Sequence, residues 1–162
     1  MIAQYRAGSL GVGDNGNGGC NVTLLQIYAL TAIILALKMA AISVVQGRAR
    51  TQAKKFLNPE DARTLGGETV TEEVEMVLRG GRAWRNDLEN IPIFLILAWV
   101  YVAAGLSTTP FIIYCAVFVV ARVLHTICYL NAVQPLRTIT YTIGSLAMLA
   151  LIINLITRVV LA

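Results

Sequence analysis

Four long apolar stretches dominate this chain and restrict the architectures open to it. A helix crosses a lipid bilayer with roughly 20 mostly apolar residues, and three stretches, 22–45, 110–130 and 138–157, reach that length. The remaining one, 91–106, is too short by itself and spans a bilayer only if its helix begins in the polar segment before it. The sequence therefore predicts an all-α integral membrane protein, a four-helix bundle.

The composition agrees with this prediction and excludes several classes of protein. Hydrophobic residues make up 57% of the chain and charged residues 14%, whereas about a quarter of a typical soluble domain is charged. One His and three Cys lack the paired spacing of a zinc site, so no metal is expected. Residues 1–21 are rich in Gly and Asn and lack a signal-peptide pattern. We expect them to form a flexible tail before a transmembrane domain at 22–162.

The longest polar connection lies between the first two spans and sets the expected orientation. Residues 48–89 carry eight basic and eight acidic side chains, and the basic ones crowd towards the flanking helices. Lys and Arg near the ends of spans mark the cytoplasmic side, so we expect a long cytoplasmic loop at about 48–80. Because acids balance bases here, the net charge of +4 is attributed to membrane topology, and no nucleic-acid partner is predicted.

Ionisable and other polar side chains recur within the predicted spans at helical spacing. An ionisable group costs about 2.5–3.5 kcal/mol near the bilayer centre, so such residues are candidates for function. Residues three, four and seven apart share one helix face. In chain order the spans carry Lys38; then Arg82, Arg85, Asn86 and Glu89; then Arg122, His125, Thr126 and Tyr129; and finally Arg137, Thr138 and Tyr141.

We expect these side chains to meet at one depth, in the cytoplasmic half of the bundle. Arg122 lies twelve residues beyond Pro110, roughly 18 Å along a helix. The result would be a polar pocket between apolar walls that lipid-soluble molecules can reach. Arginine binds carboxylates bidentately, and Glu89 is suited to hold an ammonium group. Glutathione carries these groups together with a thiol, which nearby positive charge converts to the reactive thiolate.

Simpler roles remain open for each residue taken singly. Arg122 could pair with Glu89 and merely fix helix packing. A lone His125 on an apolar helix is more often an interhelical hydrogen-bonder than a catalyst. Three polar stripes at one depth nevertheless favour a shared site. The interfacial alternatives are aromatic-belt positions for Tyr129 and Tyr141 and snorkelling for Lys38.

Four runs of sequence resemble one known family, in the same order along the chain. They are KKFLNPEDA (54–62), RAWRNDLENI (82–91), ARVLHTICYL (121–130) and PLRTITYT (135–142). The family is that of membrane-associated proteins in eicosanoid and glutathione metabolism. The resemblance covers about residues 22–160 and is greatest to the branch of microsomal glutathione transferase and microsomal prostaglandin E synthase.

The resemblance implies a homotrimer in the endoplasmic reticulum membrane, with the outer mitochondrial membrane as an alternative, and glutathione bound between subunits. It implies conjugation of glutathione to hydrophobic electrophiles dissolved in membrane lipid, with accompanying peroxidase activity. The alternative is isomerisation of prostaglandin H2 to prostaglandin E2.

A non-enzymatic lipid-binding scaffold is a further hypothesis of another class.

By position, the family's glutathione contacts fall on Arg50, Arg85, Asn86, Glu89, His125, Tyr129, Arg137 and Tyr141. Arg122, Thr126, Asp61 and Thr138 match positions linked to catalysis or its support. Arg137, with help from Arg122 and Tyr141, is expected to stabilise the thiolate of glutathione. Spacing adds Arg82 and Lys38 to the candidates for glutathione binding.

Overall fold

Four long helices form the protein described by this computed structural model, which covers residues 22–161. Each is long and apolar enough to cross a membrane, which confirms the predicted all-α class. The expected tail at 1–21 lies outside the described residues. The spanning helices are α1 (Leu24–Ala53), α3 (Glu75–Ala103), α4 (Thr108–Leu130) and α5 (Gln134–Leu155), the last continued by a π-helical turn at Ile156–Val160.

The helices extend beyond the apolar stretches into charged sequence. The second span begins at Glu75, so its helix does start within the polar segment that precedes the apolar stretch. The first continues to Ala53 and ends at Lys54, which adopts the left-handed conformation with φ 50°. The segment between these helices is therefore 54–74, shorter than the loop expected at 48–80. The charged residues on either side are carried on helices, at fixed positions.

The segment 54–74 has a small structure of its own. It contains helix α2 (Pro59–Leu65) and two short parallel strands, β1 (Lys55–Phe56) and β2 (Glu68–Thr69). Proline at the start of α2 is favourable because the first helical N–H needs no partner within the helix. Gly67 lets the strands approach closely, since a Cβ there would lie 2.5 Å from the Lys54 carbonyl oxygen.

The spanning helices pack antiparallel around an aromatic and aliphatic core. The rings of Phe94 and Phe118 are stacked with centroids 3.8 Å apart and belong to the same core cluster as the fully buried Leu35 and Leu151. Large apolar side chains on the outer face, such as Ile96 at 65% exposure, suit contact with lipid. The antiparallel arrangement puts the beginning of α3, the end of α4 and the beginning of α5 at the same end of the bundle as the segment 54–74.

Candidate functional site

A polar cavity of about 380 Å³ opens between α3, α4 and α5 at that end of the bundle. All of its lining side chains are among the candidates identified from the sequence. The structure therefore brings the polar stripes of three helices to one place. The lining residues are Arg82, Arg85, Asn86, Glu89, His125, Tyr129, Arg137, Thr138 and Tyr141.

The cavity contains more positive than negative charge. Three arginines and one carboxylate, that of Glu89, line it. Arg82 lies 3.9 Å from Glu75, but both side chains are more than half exposed, so this pair contributes little. Among residues 22–161, no ion pair engages Arg85 or Arg137. The arrangement is therefore suited to a ligand with more than one anionic group.

Arg137 is held by two contacts of different kinds. Its guanidinium carbon lies 4.6 Å from the ring centroid of Tyr129, a cation–π geometry. Its backbone carbonyl oxygen lies 3.1 Å from Nδ1 of His125. Because a carbonyl can only accept, Nδ1 must carry the proton. These contacts join the end of α4 to the beginning of α5 and orient the arginine in the cavity.

The other ring nitrogen of His125 makes no hydrogen bond within residues 22–161. Nε2 is buried and has no hydrogen-bond partner among the described residues. In the neutral ring this nitrogen is an acceptor, since the proton is on Nδ1. The rings of Tyr129 and Tyr141 lie 5.7 and 5.9 Å from the imidazole, centroid to centroid. His125 therefore acts as the interhelical hydrogen-bonder considered above, and the residue also forms part of the cavity wall.

Arg122 and Lys38 lie behind the cavity, in a buried ionic contact with one carboxylate. Arg122 is 1% exposed, and its Nη2 donates to Oδ1 of Asp87 at 2.5 Å and to Oδ1 of Asn86 at 2.6 Å. Lys38 is ion-paired with the other oxygen of Asp87. The buried partner of Arg122 is therefore Asp87, and the alternative pairing with Glu89 is wrong.

Sequence reasoning missed Asp87 because it was counted only among the acids of the polar segment. Its spacing contains the missing signal. Asp87 comes four residues after Ala83 and four before Ile91, and both of these are buried against the other helices. Positions four apart share a helix face, so the periodicity of α3 places this carboxylate on the core side. A charge at such a position requires a partner.

Three further candidates do not line the cavity of this chain. Thr126 is buried on α4, and its hydroxyl has no hydrogen-bond partner among the described residues. Arg50 donates from Nε and Nη2 to one oxygen of Glu73, at 2.8 and 2.6 Å. Asp61, on α2, accepts a 3.0 Å hydrogen bond from Asn58. Arg50 and Asp61 thus stabilise the segment between α1 and α3.

Four helices are able to cross a membrane, and a cavity that is rich in arginine lies at one end of their bundle. These features place the protein in the class of membrane proteins with a cavity suited to a polar, anionic ligand. The particular family follows from comparison with known proteins. The chain belongs to the MAPEG family, whose model matches residues 28–157.

Proteins with two different names are among the relatives of this chain. The chain is 38% identical to the prostaglandin E synthase of Homo sapiens over 125 residues, which cover 75% of this chain and 81% of that one. It is 34% identical to the prostaglandin E synthase of Rattus norvegicus over 140 residues, 86% of this chain and 92% of the other. Identity to microsomal glutathione S-transferase 1 of Rattus norvegicus is 37% over 129 residues, 76% and 83% of the two chains.

Proposed function

We propose that this protein is a membrane-embedded glutathione transferase, with peroxidase capacity, that conjugates glutathione to hydrophobic electrophiles. The observation that carries the proposal is that three arginines and one glutamate line one shared cavity. Membership of the family and the relative named microsomal glutathione S-transferase 1 support it. Glutathione is the second substrate of the conjugation.

The charges of the cavity complement those of glutathione. The tripeptide has two carboxylates and one ammonium group. Arg85 and Arg137 have no ion pair within residues 22–161 and are suited to bind the carboxylates, while Glu89 is suited to bind the ammonium. Asn86 and His125 add polar contacts that fix the orientation of the peptide. Charged hydrogen bonds of this kind are about twice as strong as neutral ones.

The chemistry depends on stabilising the thiolate of glutathione. A cation beside a thiol favours the deprotonated and reactive form. Arg137 supplies this cation, and the hydroxyl groups of Tyr141 and Thr138, one turn apart on α5, supply hydrogen bonds. The proton leaves to solvent at the end of the cavity that faces the cytosol. The thiolate sulfur then attacks the electrophile, so that a sulfur–carbon bond forms and the leaving group departs with its electron pair.

The second candidate is isomerisation of prostaglandin H2 to prostaglandin E2. The relatives named prostaglandin E synthase and the Arg137, Thr138 and Tyr141 run favour it. Here the thiolate attacks one endoperoxide oxygen, a sulfur–oxygen bond forms and the oxygen–oxygen bond breaks to leave an alkoxide. Loss of the adjacent C–H proton then forms the ketone and expels the thiolate. The alkoxide takes up a proton, and glutathione is regenerated.

An activity assay with the purified full-length protein distinguishes these two reactions. It is incubated with glutathione and either a chlorinated nitroaromatic compound or prostaglandin H2. The transferase consumes one glutathione per product, whereas the isomerase leaves its concentration unchanged. Turnover of neither compound, together with no measurable glutathione binding, would instead support the lipid-binding scaffold. Arg137→Ala should then behave like the wild-type protein in both measurements.

Assembly and location are part of the proposal. Arg85, Glu89, Thr138 and Tyr141 are exposed within one chain, which leaves the cavity open for a neighbouring subunit to close. That the assembly is a homotrimer rests on the family resemblance. We place the trimer in the endoplasmic reticulum membrane, or alternatively the outer mitochondrial membrane, with the cavity towards the cytosol. Chemical crosslinking tests the trimer. Protease protection of a tag inserted at 70–72, in sealed vesicles from fractionated cells, tests the orientation and the membrane.

A further inference from the structure

A buried charge cluster lies directly behind the polar cavity and joins three of the membrane helices. Its centre is the carboxylate of Asp87 on α3, which has no exposed surface. One oxygen is ion-paired with Lys38 of α1, and the other accepts the 2.5 Å hydrogen bond from Nη2 of Arg122 on α4. Two buried cations, Lys38 and Arg122, are thus neutralised by one carboxylate. Leaving either of them unpaired in the interior of the bundle would cost free energy.

The same Arg122 nitrogen connects this cluster to the cavity. It also lies 2.6 Å from Oδ1 of Asn86, which is one of the lining residues. A guanidinium has donors and no acceptors, so the Asn86 atom that faces it must be the amide oxygen. The Nδ2 group then lies on the opposite side of the amide, and among residues 22–161 no acceptor is hydrogen-bonded to it.

We propose that Asp87 is a positioning residue that acts on the cavity through Arg122 and Asn86. It holds the guanidinium where Nη2 can bond both oxygens, and this keeps the two N–H donors of the Asn86 amide available to a carboxylate of bound glutathione. The inference rests on the proposed glutathione site. Asp87 does not touch the ligand, because its side chain faces the core.

The charge and the geometry of Asp87 are both needed for this role. Nη2 of Arg122 has two hydrogens, and the two short contacts use one for Asp87 and one for Asn86. A neutral amide at position 87 would have one oxygen for two cations and would turn its N–H groups towards the other. Arg122 would then move or rotate, and the Asn86 amide would be free to present its oxygen to an anionic ligand.

The test is Asp87→Asn in the full-length protein, purified in detergent. Glutathione affinity is measured by isothermal titration calorimetry, and kcat and KM for glutathione with the chlorinated nitroaromatic compound. We expect Kd and KM to rise about tenfold, the effect of one hydrogen bond to a charged group, while kcat changes less than about twofold. In an Asn86→Ala background, Asp87→Asn should change Kd by less than about twofold, because coupled residues are not additive.

A matched control removes a polar interhelical contact at the other end of the bundle. Asn154→Ala deletes the 3.3 Å hydrogen bond from α5 to the Tyr114 hydroxyl of α4 and should leave Kd for glutathione unchanged. Should Asp87→Asn fail to fold, Arg122→Lys keeps the buried charge and removes the shared Nη2. It should cause the same rise in Kd.

Two results would overturn the inference. One is an unchanged Kd in folded Asp87→Asn or Arg122→Lys protein. The other is a tenfold loss from Asp87→Asn that persists in the Asn86→Ala background, since Asp87 would then act by another route. If wild-type protein binds no glutathione, the proposed function and this inference fail together. If wild-type protein binds glutathione and the variants bind it equally well, only the inference fails.

Discussion

The side chain of Arg137 is central to the proposed chemistry but contributes little to the stability of the fold. Its contact with the helix bundle is made by the backbone carbonyl that pairs with His125, and this contact survives substitution. The side chain itself contributes the cation–π contact with Tyr129, worth about 0.5–1 kcal/mol at an accessible site. Arg137→Ala should therefore fold, with only a small loss of stability.

The effect of this substitution on activity should be much larger. Arg137→Ala removes one of the three arginines of the cavity, and one of the two that have no ion pair within residues 22–161. A hydrogen bond to a charged group contributes about 1.5–3 kcal/mol, and each 1.36 kcal/mol is a tenfold change in rate. We expect the conjugation rate at saturating glutathione to fall roughly 10- to 150-fold. Arg137→Lys, which keeps the charge and loses the fork, should be intermediate.

The assay follows thiolate and turnover separately. Stopped-flow ultraviolet absorbance detects the thiolate when glutathione binds, and steady-state conjugation measures the rate. Arg158→Ala, at the opposite end of the bundle, is the matched control and should change neither. A folded Arg137→Ala protein with wild-type thiolate absorbance and rate would refute the assignment of thiolate stabilisation to this cation.

Three further outcomes are expected. Phe118→Ala, which removes a ring stacked at 3.8 Å in the core, should destabilise the protein by about 3–5 kcal/mol, measured as earlier unfolding in a thermal ramp in detergent. Gly67→Ala should speed protease cleavage of the segment 54–74, because its Cβ would lie 2.5 Å from the Lys54 carbonyl oxygen, whereas Gly47→Ala, with nothing within 4 Å, should not. Glutathione at 100 times its Kd should stabilise the wild-type protein by about 2.7 kcal/mol, and Arg85→Ala should reduce this shift at the same concentration; an equal shift would contradict a role for Arg85 in binding.

The residues of the cavity could be predicted because they recur at helical spacing along the sequence. Arg85 and Glu89 are four apart on one helix, as are His125 and Tyr129 on the next. Helical spacing puts each pair on one face whatever the rest of the chain does. Polar faces in an apolar bundle turn towards one another, since lipid cannot solvate them. The family resemblance added residues such as Arg50 that the structure ties to another partner, Glu73.

The sequence by itself determined the number of membrane helices, the polar stripes on three of them and the family, since length, periodicity and motif are local properties of the chain. Only the tertiary structure decided which buried charges meet. Two acids, Asp87 and Glu89, lie two residues apart on α3 and therefore face different directions. The packing of α1 and α4 against that helix turned Asp87 towards Lys38 and Arg122 and left Glu89 in the cavity. Ion pairing depends on distances between helices, and spacing along one helix contains no information about them.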